Sequence, residues 1–260
     1  PDTAEYRGSW YRSGFFRYYP EAANCYVWHM DQWLKHGDVV GIYIDDAWIG
    51  TFTDPDRGPA YRMDDGKVQP GFEFFDYHEF LKRLRWAFIE NNMKPRIWVH
   101  MTQTHFIPCL SFADYILDGE GRFMGWGDKG DFIVRWGMAR FRFSNPKKWG
   151  LGQVWMNKIG NDEPQPIEMP HWVYRQNRAY HAALLVHDIS SVGGWIKDAR
   201  QAGCHDDDAE FVGYWEPDSP VTSADGNFVA SVYRQEGRAA LVIVNGSNET
   251  GVAELTLDAA

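Results

Sequence analysis

Cysteine is scarce in this chain of 260 residues: Cys25, Cys109 and Cys204 are an odd count, with no CxxC pair and no metal-type spacing. That argues against a disulfide-built scaffold, and a chain of this length can bury a proper core without staples. Positive charge is also in deficit. With 26 Lys and Arg against 36 Asp and Glu, the formal net charge is −10, which speaks against nucleic acid or an anionic membrane as a partner. No apolar run approaches the roughly 20 residues of a membrane span. A P-loop, a GxGxxG after a strand and a GxSxG nucleophile elbow are all missing, so no cofactor is expected. The chain opens on Pro1 rather than Met and shows no signal peptide. A processed chain or a fragment is expected, and its compartment cannot be read from its start.

Aromatic residues are abundant instead. With 13 Trp, 13 Tyr and 16 Phe they form 16% of the chain. Many tryptophans serve a core first. Combined with many acids and a long Gly-rich loop, they also suit a carbohydrate cleft, where flat rings stack on sugar faces.

From Asp38 the pattern becomes β/α. "VVGIYID" is a short β-branched run of the kind buried on both faces of a sheet, and a polar loop follows from Ile49 to about Gly71. "DYHEFLKRLRWAFIENN" reads as a helix with Asp76 and Glu79 as a capping box. Its apolar face is Tyr77, Phe80, Leu81, Leu84 and Phe88, and Asn91, Asn92 and Pro95 end it. "RIWVHM" and "ADYILDGEG" read as strands ending near His100 and in Asp118 and Glu120. "DFIVRWGMARFRF" and "GQVWMNKIG" also read as strands, and "HWVYRQNRAYHAALLVHD" as a helix behind Pro170. Upstream, a strand is expected around "SGFFRYY" and a helix around "CYVWHMDQWLK".

Alternating strands and helices imply βαβ units and a parallel sheet. The expectation is a (β/α)8 barrel over residues 1–212, with five or six of its eight strands here and the others upstream. After Gly213 the period changes to two. Residues 213–260 read as a small antiparallel β-sandwich-like domain, with turns at "QEGR" and "NGSNETG". The sequons at Asn245 and Asn248 read most simply as that polar turn.

In a parallel barrel the chemistry lies at the carboxyl ends of the strands. Three successive strands end in Asp45 and Asp46, in His100, and in Asp118 and Glu120. Alternation puts Tyr43 and Asp45 on one face and Ile42, Ile44 and Asp46 on the other, making Asp45 the buried, oriented carboxylate. One ionised carboxylate and one protonated partner is what glycoside hydrolysis requires. The catalytic candidates are therefore Asp45, Glu120, Asp46 and Asp118. Tyr43, Trp48, His100, Trp126 and Arg135 are candidates for holding sugar, and Trp136 can serve either a cleft or the core. No metal site is expected. The acids between Asp54 and Asp65 fail the EF-hand pattern, His100, His105 and Cys109 match no zinc spacing, and Asp206 to Asp208 read as a solvated loop. A metal-dependent hydrolase would need Asp45, Asp46, His100 and Asp118 to converge on one ion.

"GDVVGIYIDDAW", "ADYILDGEG", "HAALLVHDIS" and "FVGYWEPDSPV" together resemble bacterial glycoside-hydrolase-like proteins related to β-N-acetylgalactosaminidases and, more distantly, to α-galactosidase-type barrels. The resemblance runs from about Val39 to Val244. It implies a catalytic barrel followed by a β-sandwich, acting on glycans in the extracellular space or periplasm, with Asp45 as the strand-end acid and Glu120 as the later one. The hexosaminidase relatives use an adjacent Asp-Glu pair where this chain has Asp45-Asp46, so N-acetylhexosamine specificity does not carry over. The function expected is cleavage of an oligo- or polysaccharide. The alternative is a barrel that binds carbohydrate, or serves as a scaffold, without cleaving.

Overall fold

The computed structural model describes residues 18–37, 39–45, 47, 49, 51–56, 58–100, 106–119, 137–144, 150–156, 171–192, 196–204, 206, 208–247 and 249–258. The chain divides into two compact units. One is formed by residues 1–100 and 104–114, the other by 101–103 and 115–260. Fourteen short strands and six helices are described, and five of the strands form one sheet in the order β1-β6-β7-β8-β9. Its members are Ile42–Ile44 (β1), Ile97–His100 (β6), Tyr115–Asp118 (β7), Gly152–Met156 (β8) and Ser190–Val192 (β9). The described pairings β1–β6, β7–β8 and β8–β9 are parallel. The fold is thus mixed α/β with a five-stranded parallel sheet, and closure into eight strands is not seen among the described residues.

In the N-terminal unit, α1 (Pro20–His36) and α2 (Phe74–Glu90) pack together. Tyr77, Phe80, Leu81, Leu84 and Phe88 are all buried on α2, as their helical spacing requires. The helix starts two residues before Asp76, so no capping box forms. Glu73 is the N-cap residue, and its Oε1 accepts the Tyr18 N–H at 3.2 Å rather than capping its own helix. Asp76 then lies in the first turn, where a carboxylate complements the helix dipole. Arg85 donates to Asp114 Oδ1 at 2.9 Å, and Asp114 Oδ2 accepts the Ile97 N–H at 2.9 Å. One aspartate thereby ties α2 to the first residue of β6.

The strand β1 is not buried on both faces. It stands first in the sheet order, and Tyr43 is 48% exposed. The segment after it is more than a loop: β2 (Thr51–Phe52) pairs with β5 (Gly71–Phe72), and β3 (Tyr61–Arg62) with β4 (Val68–Gln69), all antiparallel. Its acids serve turns. Asp54 accepts the Asp56 N–H, and Asp65 accepts the Lys67 N–H and holds its ammonium at 2.8 Å. After β6 comes the one-turn α3 (Ile107–Leu110).

In the C-terminal unit, the end of "DFIVRWGMARFRF" is a helix, α4 (Met138–Ser144), not a strand. Alternation would put Phe141 and Phe143 on one face. The helix instead buries Phe141 completely and leaves Phe143 93% exposed. Helix α5 (His171–Leu185) supplies Tyr180, Ala183 and Leu184 to a core that also contains Phe141, Trp155, Val186, Ile189 and Val244. The short α6 (Ile196–Gln201) follows β9.

The C-terminal strands are antiparallel, as their period of two requires. They are β10 (Glu210–Val212), β11 (Val221–Ser223), β12 (Phe228–Gln235), β13 (Arg238–Asn245) and β14 (Leu255–Leu257), paired β10-β12-β13 and β11-β14. They are built into the unit's core rather than appended to it. Val244 of β13 lies in the Trp155 cluster. From β12, Ser231 donates to the Val186 carbonyl at 2.8 Å and Tyr233 to the Leu185 carbonyl at 2.7 Å. Those hydroxyls donate to carbonyls at and just past the end of α5, where the helical ladder runs out. Asp206 is not merely solvated, since it accepts from Arg238 at 2.7 Å beside the turn of the β12–β13 hairpin. Asn245 Oδ1 accepts from the Ser247 N–H and hydroxyl, so its side chain serves the turn.

"HAALLVHDIS" and "YWEP" meet at one residue. The His187 ring is stacked between Phe141 and Trp215, 5.4 Å from each at 18° and 15°. Its Nδ1 lies 2.6 Å from the Ala183 carbonyl and its Nε2 3.2 Å from the Tyr214 hydroxyl.

Candidate functional site

The parallel register sets Tyr43 opposite Trp98. Alternation from that pair places Asp45 and His100 on the same face, just beyond at the carboxyl ends of β1 and β6. The Ala47 N–H donates to the His100 carbonyl at 3.0 Å and holds the two strand ends together. The result is a triangle of polar atoms. Tyr43 Oη lies 2.9 Å from Asp45 Oδ1, His100 Nδ1 lies 2.7 Å from the same oxygen, and Oη and Nδ1 are 2.9 Å apart. The Tyr43 ring also meets Trp98 edge-on at 6.0 Å.

The burial is the reverse of the expectation from alternation. The imidazole is the buried member, with 3% of its side chain exposed, while 66% of the Asp45 side chain is open to solvent. β1 ends the described sheet order and contributes Asp45 just past its last residue, whereas His100 is still within β6. The carboxylate is thus presented to solvent from a buried imidazole and a half-exposed tyrosine.

Asp118 closes β7 in the C-terminal unit and is fully buried. Its Oδ1 accepts the Gly119 N–H at 2.6 Å. The β7–β8–β9 register aligns Asp118 with Trp155 and Ser191 on one face. Burial, with the Asp118 charge adding to it, holds the Tyr180 hydroxyl well above the usual tyrosine range. Asp118 therefore sits among packed side chains and is not open to a substrate. Asp46, Trp48, Glu120, Trp126, Arg135 and Trp136 lie outside the described residues.

Among the described residues no group of three or more His, Cys, Asp or Glu is placed to hold a metal ion, and no helix is long and apolar enough to cross a membrane. A concavity that the sequence reading missed, of about 750 Å³, runs between α1 and α2 and is lined by Val27, Trp28, Trp86 and Ile89. Trp28 and Trp86 are each 58% exposed. Their positions off the buried stripes of the two helices were the available signal. Several of its charged residues are already engaged: Asp31 with Lys35, Glu79 with Lys82, and Arg85 with Asp114. Comparison of the chain with protein-family models, curated proteins and solved structures finds no match.

Proposed function

We propose that this chain carries the catalytic face of a glycoside hydrolase built on a (β/α)8 barrel, cleaving an oligo- or polysaccharide in the extracellular space or periplasm. The observation that carries the reading is Asp45: a solvent-open carboxylate at a parallel strand's carboxyl end, oriented by Tyr43 and His100. The unreversed strand order agrees with an arc of a barrel. A solvent-open carboxylate is ionised at neutral pH, and that is the form needed at the anomeric carbon.

Glu120 is the proposed partner, two strands later. In its protonated form it gives its proton to the leaving glycosidic oxygen as the bond to the anomeric carbon breaks. Asp45 stabilises the positive charge that develops there or bonds to the carbon, and water completes the hydrolysis. The separation of the two carboxyl groups decides the stereochemistry. Asp46, Trp48, Trp126 and Arg135 line the sugar path in this scheme. Asp118 is kept out of it by its burial.

The test is turnover of a glycan panel by wild type, Asp45→Asn and Glu120→Gln, with folding monitored by circular dichroism. Both variants should stay folded and lose activity by at least a hundredfold, the order seen when an acid–base group is removed. Normal turnover by either variant refutes the pair. Glycan binding with no turnover in the wild type would identify a non-catalytic barrel.

A further inference from the structure

We infer that Tyr43 and His100 are positioning residues that lock Asp45 through one fixed proton arrangement, with the imidazole held as its Nδ1–H form, rather than groups that hold sugar. The role in turnover rests on the glycosidase proposal; the proton arrangement does not.

Three close edges share the few protons that these side chains carry. Each edge of the triangle is 2.7–2.9 Å long, within hydrogen-bond range, and such a contact between two polar atoms needs a proton on one of them. Tyr43 supplies one. An exposed carboxylate such as Asp45 supplies none at neutral pH. Were the imidazole protonated only at Nε2, bare lone pairs of Nδ1 and Oδ1 would face each other at 2.7 Å. The single tyrosine proton could relieve only one of its two edges. With the proton on Nδ1, both donors converge on Oδ1, and the Tyr43 oxygen serves as a second acceptor of the same N–H. The assignment holds for neutral imidazole and for imidazolium alike, since both carry a proton at Nδ1.

Two fixed donors on one carboxylate oxygen set the carboxyl plane, and the buried ring cannot swing away. His100 exposes only 2% of its surface, too little to grip a hydroxyl. Its action on a substrate passes through the groups it contacts, Asp45 and Tyr43 among them. The predicted signature is a loss in kcat with KM unchanged, because a misplaced carboxylate costs transition-state stabilisation while leaving the sugar contacts intact.

The first measurement uses the ligand-free protein. Long-range proton–nitrogen correlation at pH 8 on ¹⁵N-histidine-labelled chain, assigned through the signal missing in His100→Asn, should show a protonated Nδ1 and an unprotonated Nε2. Asp45→Leu should move that ring away from the pure Nδ1–H form. A wild-type His100 protonated at Nε2 overturns the inference.

The second measurement uses 4-nitrophenyl glycosides as probes. Tyr43→Phe, which leaves the buried ring in place, and His100→Ala should each lower kcat roughly ten- to hundredfold, the worth of a hydrogen bond to a charged group. His100→Asn, which restores an N–H near the Nδ1 position, should recover part of the loss. A rise in KM with kcat intact would make these residues sugar ligands and overturn the positioning role. Equal losses in His100→Asn and His100→Ala, with Tyr43→Phe at wild-type rate, would overturn it too. Full turnover by Asp45→Asn would sink the glycosidase proposal while leaving the nitrogen result standing.

Discussion

Acid should unfold this protein partly through one buried histidine. His187 has no solvent exposure, and its ring fills the space between Phe141 and Trp215. Burial pushes its pKa down to about 4, against the opposing pull of hydrogen bonds to the Ala183 and Met138 backbone. Neutral imidazole suits the arrangement: Nδ1–H can donate to the Ala183 carbonyl and Nε2 can accept from the Tyr214 hydroxyl. In the unfolded chain the same ring titrates near 6.5. Between those values the unfolded state binds a proton that the folded state does not, so stability falls as pH falls. The contribution is complete above about pH 6.5 and is lost as pH drops toward 4. At about 1.4 kcal/mol per pH unit, that gap amounts to roughly 3 kcal/mol, a large part of the 5–15 kcal/mol typical of a folded protein.

The assay is urea denaturation from pH 8 to pH 4 for wild type and His187→Phe. Phenylalanine fills much of the ring space but cannot titrate. It leaves the Tyr214 hydroxyl and Ala183 carbonyl without their imidazole partner, so the variant should start lower at pH 8 by about 1–3 kcal/mol. Its stability should then decline less steeply, converging on wild type by pH 4. His181, whose pKa burial also lowers to about 4, contributes in the same direction in both proteins. Parallel pH profiles for the two proteins would refute the reasoning.

Phe141→Ala should cost about 3–5 kcal/mol and Phe143→Ala less than about 0.5 kcal/mol in thermal or chemical denaturation; equal costs would mean the segment is a strand after all. Gln153 is buried on β8 with neither amide atom paired among the described residues, so Gln153→Met should stabilise by about 1 kcal/mol, and a loss of stability would show that the amide has a partner. A Cβ at Gly71 would come within 2.4 Å of the Pro59 carbonyl oxygen. Gly71→Ala should therefore destabilise the β2–β5 pair, read as faster proteolytic cleavage between residues 51 and 72, and unchanged cleavage would count against that packing.

The sequence by itself determined the elements whose periodicity is long and consistent. The stripe at Tyr77, Phe80, Leu81, Leu84 and Phe88 admits only a helix with one buried face, and the period-two run after Gly213 admits only antiparallel strands. Alternation was also enough to put Tyr43 and Asp45 on one face, because a strand's side chains have no other choice. Short, ambiguous patterns were decided elsewhere. "MARFRF" satisfies both periods, and helix won because Phe141 enters the core beside Trp155 and His187. The capping box at Asp76 failed because local composition marks a helix start only to within a turn, and here Glu73 was engaged by a residue 55 positions away.

Only tertiary structure could decide which member of the candidate site is buried. Burial depends on where a residue stands in its strand and sheet: Asp45 lies just past the end of β1, first in the described order, while His100 is still within β6. Hence Asp45 faces solvent and His100 does not. The same reason explains His187: its role comes from a helix end, a helix before it and a loop 27 residues after it closing on one ring, a convergence that no spacing along the chain records.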